Sequence, residues 1–212
     1  MISFVTASHK EDVLVKNLLQ SHGIINQVLH VMRDYNNIAK AYNNAKPLVY
    51  KDHIVVYVHH DVFMPSTFLQ NLNASLKKMQ RIYPNWGVLG VAGVKMVSRQ
   101  KKFLGYVKDR GKIIGSREDL PAEVDTLDEL LLITRGDFVF DENIPGTHFY
   151  GADICMQAKL QGRKNYVINA YLEHNSSLAF GTRPADFEPC KEYFRNKYID
   201  HLPIATTCTI VT

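Results

Sequence analysis

The stretch IVVYVHHDVFMP, residues 54–65, runs five apolar residues and then places His59, His60 and Asp61 in succession. The apolar part has the length and β-branched content of a buried strand, so the polar residues fall where that strand stops. Alternation along a strand puts His59 and Asp61 on one side and His60 on the other. A carboxylate with one or two imidazoles suits a divalent ion of borderline softness such as Mn²⁺, and it leaves coordination positions open for phosphate oxygens. Two readings of Asp61 stand at this level: a ligand, or a cap on the helix that follows, with the histidines satisfied by backbone. His60 is assigned to structure. Three further polar clusters, Thr6-Ala7-Ser8, Arg33-Asp34 and Glu173-His174, also follow apolar runs. If these runs are neighbouring parallel strands, all four clusters gather at one edge of a sheet, where open α/β sheets take their ligands.

The elements that must position these residues alternate between two periods. ISFVTA reads as a strand, and Ser8 and Glu11 have capping-box spacing before a helix with Val13, Leu14, Leu18 and Leu19 on its apolar face and Gly23 as its stop. QVLHVM is a second strand, NNIAKAYNNA a helix opened by asparagine, HIVVYV a third strand, and Pro65 occupies the first turn of a helix to about Tyr83. GVLGVAGVKMV is a fourth strand. Strands joined through helices by short connections predict a mostly parallel sheet flanked by helices on both faces. Beyond residue 98 a hairpin turns at Asp109-Arg110-Gly111, and EVDTLDELLLITR forms a strand region. GADICMQAKLQG is an amphipathic helix stopped by Gly162, KNYVINAYLEH is a strand ending in His174, and a last helix covers residues 184–198. The whole is expected to be one domain of 212 residues in two halves, 1–98 and 99–212.

Composition is that of an ordinary globular chain, 46% hydrophobic and 22% charged. The net charge of +4, without a long basic run, suits an anionic ligand and argues against nucleic acid. Cys155, Cys190 and Cys208 are odd in number and widely spaced, which predicts free thiols in a reducing compartment. No leader and no bilayer-length apolar segment is read, so a cytoplasmic protein is expected.

AYNNAKPLVYKDHIVVYVHHDVF (41–63) and FDENIPGTHFYGADICMQAKLQGRKNYVINAYLEHNS (140–176) together resemble the family 2-like nucleotide-sugar glycosyltransferases of the GT-A fold. Ala41-Tyr42-Asn43 matches the family's A-x-N element, and His59-His60-Asp61 stands in the place of its D-x-D motif. The F-D-E turn, the aromatic lead into an acid-started helix and the later histidine follow in order. The resemblance implies a nucleotide-sugar donor, a glycan or other hydroxyl acceptor, and a divalent cation, Mn²⁺ or Mg²⁺. His59 replaces the first acid of D-x-D, so the cation would rest on Asp61, with His59 and His174 as further ligands. Asp153 falls where the family keeps its catalytic base, implying inversion at the anomeric carbon; a plain first-turn acid is the other reading of that residue. Asp34 matches the position that holds the nucleotide's base or ribose. Thr6, Ser8, Lys40 and Asn43 are the remaining donor-binding candidates, although Ser8 also reads as a helix cap and Lys40 as a solvated face. Asp128 and Glu129 would border the acceptor, and Asp141-Glu142 would order the loop ahead of Asp153. A zinc hydrolase built on His59, Asp61, His148 and His174 is a second possibility, lacking the tight spacing of such sites. A non-catalytic binding module of the same fold is a third. The sequence leaves the oligomeric state open.

Overall fold

A computed structural model describes residues 1–49, 53–176 and 182–212. Tyr50-Lys51-Asp52, inside the first of the two motifs, lies outside the described residues. The chain begins with β1 (Ile2–Ser8), a short helix α1 (Glu11–Lys16), two 3-10 turns, β2 (Leu29–Arg33), α2 (Ile38–Ala45), β3 (Ile54–Val58) and a two-residue β4 (Val62–Phe63). It continues through α3 (Phe68–Ile82), β5 (Trp86–Gly90), β6 (Ala92–Val97), β7 (Gln100–Asp109) and β8 (Lys112–Gly115). Three short strands follow, β9 (Ala122–Val124), β10 (Thr126–Leu127) and β11 (Leu131–Thr134). The chain ends with α4 (Tyr150–Leu160), β12 (Lys164–Val167), β13 (Glu173–His174), α5 (Phe187–Lys197), β14 (Ile204–Ala205) and β15 (Ile210–Val211).

The larger sheet has the order β2-β1-β3-β11-β5-β12-β9. Strands β2, β1, β3, β5 and β12 share one direction, while β11 and β9 run against it. Period-two alternation divides the side chains between two cores. Val5, Val55, Tyr57, Leu132 and Val167 pack with α2, α4 and α5 on one face. Phe4, Val56, Val58, Leu131 and Ile133 pack with α1 and α3 on the other. Both sequence halves supply strands to this sheet, so the break in texture near residue 98 is not a spatial divide. The smaller sheet, β10-β6-β7-β13-β4 with β8 beside β7, takes up the chain where it leaves the larger one after β3, β5 and β12.

Several elements differ from their sequence reading. Residues 87–97 are not one strand: the chain leaves the larger sheet at Val91 and enters the smaller as β6. Residues 164–174 likewise divide into β12 and β13. The capping box does not form, because Lys10 rather than Ser8 precedes α1, and the Ser8 hydroxyl is taken up locally by the Lys10 N–H and carbonyl. Gly23 does not end α1. It lies buried in a 3-10 turn, where a Cβ would run into the Pro65 carbonyl and the Phe68 Cβ. Pro65 precedes α3, and its carbonyl accepts the Phe68 N–H at 2.9 Å. The hairpin at Asp109-Arg110-Gly111 forms as expected, with Arg110 and Gly111 at positive φ. Gly162, at φ +72°, follows α4 in the left-handed conformation that suits glycine. That helix is not amphipathic: every residue from Tyr150 to Met156 is buried, because α5 covers the side facing away from the sheet. No helix among the described residues is long and apolar enough to cross a membrane. All three cysteines are free.

Candidate functional site

The site is assembled where the smaller sheet meets the end of β3. His59 follows β3, and its N–H is held by the Leu130 carbonyl at 3.1 Å. Asp61 precedes β4, whose antiparallel partner β13 sets His174 opposite Val62. The parallel ladder between β13 and β7 then sets Asp109 opposite His174. Three ligand atoms from His59, Asp61 and His174 consequently lie within 4.8 Å of one another, on side chains that are half-buried. His174 Nε2 is 3.3 Å from Asp61 Oδ2, and His59 Nδ1 is 3.9 Å from Asp61 Oδ1. Asp61 Oδ1 is enclosed and has no hydrogen-bond partner. Leaving such an atom unsatisfied costs on the order of 1–3 kcal/mol, a cost that a bound cation or donor removes.

The electrostatics bind the cluster together. Burial by itself would raise the Asp61 carboxyl, but the hydrogen bond with His174 and the charges of His59, His174 and His60 outweigh it and hold the group well below the usual carboxylate range. Burial would lower His174, yet hydrogen bonding and charge from Asp61, with contributions from Asp128 and Asp109, raise it. His60 points elsewhere: its ring packs 5.5 Å from that of His9, burial lowers its pKa, and its Nδ1 is enclosed without a hydrogen-bond partner.

A second group borders the cluster. Glu129 Oε1 accepts the Gly151 N–H at 3.0 Å, satisfying one of the free donors in the first turn of α4. Its other oxygen is 3.9 Å from His148 Nδ1, and His148 Nε2 is 3.7 Å from Asp186 Oδ1. Asp186 in turn holds the Thr147 N–H and hydroxyl at 2.8 and 2.7 Å. Asp128 accepts from the Thr207 hydroxyl at 2.6 Å, and its charge reaches both His174 and His148. Phe149, at the entrance of α4, has φ 68°, a left-handed conformation that bulky residues rarely adopt.

Asp153 lies between α4 and α5. It is fully buried, and its carboxylate accepts from Lys197 at 2.6 Å, Gln157 at 2.7 Å and Tyr198 at 2.8 Å. A carboxylate closed off from solvent and surrounded by donors ties α4 to α5. Asn43 is also spent on structure: its Oδ1 accepts the Phe140 N–H, and its Nδ2 donates to the Phe140 carbonyl and to Glu142. The A-x-N and F-D-E motifs are thus two halves of one clamp. Thr6 and Ser8 are buried at the end of β1; the Ser8 hydroxyl is bonded to Lys10, and the Thr6 hydroxyl has no hydrogen-bond partner. Asp34 is exposed just beyond β2 at φ 63°, and Lys40 is exposed on α2. The hydrolase set does not assemble among the described residues, since His148 is outside the group of three.

Asp109, Tyr150 and Asp186 are site residues that the sequence reading passed over. Asp109 sat in a segment legible only as a hairpin turn, and its role comes from a strand pairing 65 residues away in sequence. His59 Nε2 shares a 2.7 Å hydrogen bond with the Tyr150 hydroxyl; the tyrosine adjoins the acid-started helix motif and was read only as its aromatic lead.

Comparison with known proteins agrees with this architecture. A structure of GalNAc-T7 with UDP, GalNAc and Mn²⁺ aligns with a TM-score of 0.60 at 11% identity, over 94% of this chain and 50% of that one. Two S. aureus TarS 1–349 structures also align, at 15% identity in each case. One reaches a TM-score of 0.57 over 98% of this chain and 67% of that one. The other, in complex with UDP-GlcNAc, reaches 0.54 over 94% and 66%. These likenesses identify the GT-A fold. In sequence, the chain is 28% identical over 155 residues to the Fuscovulum blasticum protein "ATP synthase subunits region ORF 6", covering 70% of this chain. It spans about 60% of the length of that curated relative. The model of the "Glycosyltransferase like family" matches residues 7–179, which include both motifs, the cluster of His59, Asp61 and His174, and Asp128, Glu129, Thr147 and His148 of the second group. With most of its length inside that match, the chain belongs to the glycosyltransferase-like family.

Proposed function

We propose that this protein transfers a sugar from a nucleoside diphosphate donor to a hydroxyl acceptor, with inversion at the anomeric carbon. The observation that carries the reading is the convergence of His59, Asp61 and His174 beside an enclosed carboxylate oxygen that has no partner. Two imidazoles and a carboxylate make a donor set that fits Mn²⁺ and leaves room for diphosphate oxygens. His59, Asp61 and His174 would hold the cation, which as a Lewis acid would stabilise the charge on the departing diphosphate. UDP-bearing neighbours in the same fold make a uridine diphosphate sugar the first donor to test. Asp34 and Lys40, exposed near the ends of β2 and α2, are the residues proposed for the nucleoside and phosphate.

Burial of Asp153 shifts the base to Glu129. Its carboxylate is held at the start of α4 by the Gly151 N–H, with His148 on its other side. In this role it accepts the proton of the acceptor hydroxyl as the new glycosidic bond forms. Attack from the side opposite the diphosphate then inverts the anomeric centre. Asp128, held by Thr207, borders the same space and would orient the acceptor.

The test is donor turnover with UDP-sugars and Mn²⁺, with the anomeric configuration of the product read by proton NMR. Inverted product from wild type, with loss of turnover in Glu129→Gln despite retained UDP binding, is the expected result. Retained configuration, or a Glu129→Gln variant as active as wild type, would overturn the reading.

A further inference from the structure

A cation site with two histidines needs each imidazole to turn one particular nitrogen inward, and the ring itself does not choose which. Two residues outside the cluster make the choice here. His174 Nδ1 lies 2.8 Å from Asp109 Oδ1. A carboxylate only accepts, so Nδ1 is the donor in this bond and Nε2 is the nitrogen left to face Asp61 at 3.3 Å. Asp109 is itself fixed from two directions. Its Oδ2 accepts from Arg110 Nη1 at 3.0 Å, and the β7–β13 register places it opposite His174. One residue earlier, the same ladder pairs Lys108 with Glu173 at 3.0 Å, so strand register dictates both contacts.

The second histidine is fixed from the opposite side. His59 Nε2 is bonded to the Tyr150 hydroxyl, leaving Nδ1 toward Asp61. Tyr150 is buried, and its ring sits against those of Tyr42 and Phe140. A phenol hydroxyl can donate or accept, so the bond fixes how the His59 ring is turned, with Nδ1 toward Asp61, and not which of its nitrogens carries the proton. Tyr42 belongs to the same short stretch as Asn43, whose side chain clamps the F-D-E turn. The helix motifs and the cluster therefore meet through the packed rings of Tyr42 and Tyr150 and the hydrogen bond from Tyr150 to His59.

We infer that Asp109 and Tyr150 are positioning residues: Asp109 locks His174 in the tautomer and ring orientation that aims Nε2, and Tyr150 holds the His59 ring so that Nδ1 is aimed, at a single divalent cation beside Asp61. The inference rests on the cation site of the proposed function and adds which nitrogens ligate and which residues decide it. Partners of this kind outside the ligand set tune affinity by about 10- to 100-fold.

The experiment titrates Mn²⁺ alone into the purified protein and follows the free ion by electron paramagnetic resonance, with no substrate present. Asp109→Ala and Tyr150→Phe should each bind Mn²⁺ about 10- to 100-fold more weakly than wild type. Asp109→Asn, which keeps an acceptor oxygen for His174 Nδ1–H, should stay close to wild type, and it carries the test should Asp109→Ala fail to fold. Long-range proton–nitrogen spectra of the histidine rings, recorded without metal, supply a readout that a merely structural role would not move. At a pH high enough for the His174 ring to be neutral, wild type and Asp109→Asn should show it protonated at Nδ1, and Asp109→Ala should lose that preference. Wild-type Mn²⁺ affinity in both Asp109→Ala and Tyr150→Phe, or an unchanged ring spectrum in Asp109→Ala, would overturn the inference alone. If wild type itself binds no Mn²⁺, or Asp61→Ala binds it as well as wild type, the underlying cation site fails and the inference fails with it.

Discussion

Replacing Asp153 by asparagine changes one atom and one charge at the centre of the contact between α4 and α5. In the native protein Oδ1 accepts from Lys197 and Tyr198, and Oδ2 accepts from Gln157. Asparagine keeps the first oxygen but sets an amide N–H₂ against the Gln157 amide. Gln157 must then turn over and give up its bond to the Val139 carbonyl at 3.1 Å. Lys197 loses one of two carboxylates and retains Asp141 at 2.6 Å, so it is not stranded. A hydrogen bond to a charged group contributes about 1.5–3 kcal/mol. One such bond lost and one ion pair weakened put the cost at about 2–3 kcal/mol, below the 3–5 kcal/mol typical of a buried charge left with no partner. For a chain of this size that lowers Tm by roughly 4–12 °C. Urea and thermal unfolding, followed by the fluorescence of the lone Trp86, measure the cost directly, and UDP-sugar turnover on the same samples measures the chemistry. The structure requires a less stable variant that still turns over donor below its melting range. A variant as stable as wild type with its turnover abolished would return Asp153 to the chemistry and refute its assignment to the core.

Three shorter predictions concern the scaffold. Asn43→Ala removes the clamp between α2 and the F-D-E turn, and should cost about 1–3 kcal/mol in urea unfolding, because the Phe140 N–H and carbonyl lose their partner. Burial would raise the Asp141 carboxyl, but Lys197, the Asn143 N–H and Tyr193 together lower it from 3.8 to about 2. Its contribution to stability is therefore full above about pH 4 and is lost as pH falls through about 2, amounting to about 1–2 kcal/mol after allowance for solvent at Lys197. Asp141→Asn should flatten that part of the pH–stability profile. Gly23→Ala should cost about 1–3 kcal/mol through its contact with the Pro65 carbonyl, measured as a lower urea midpoint; a neutral effect would contradict the packing of this turn.

Much of the frame was legible because periodicity reports burial. The strands around Phe4, Val56 and Ile133, and the helix capped by Asn37 through the Lys40 N–H, follow from local pattern. The strand breaks at Val91 and after Val167 were not, because a chain leaving one sheet for another stays apolar throughout. At the site, His59, Asp61 and His174 were readable because each ends an apolar run. Asp109 was not, since the register of β7 on β13 is a long-range pairing. Asp153 misled for a related reason. An acid in the first turn of a helix looks the same in sequence whether it faces a ligand or a lysine from another helix, and only α5 decides the matter. Asn43 likewise reads as a ligand residue until the F-D-E turn is folded against it.

The central claim is that His59, Asp61 and His174 form one cation-dependent site for a nucleoside diphosphate. Isothermal titration of UDP into wild type and Asp61→Asn, with Mn²⁺ and with EDTA, tests it most directly. The account predicts tight binding only for wild type with Mn²⁺, at least tenfold weaker binding when either the metal or the carboxylate is removed, and no further loss when both are. UDP binding of equal strength in all four titrations would contradict it.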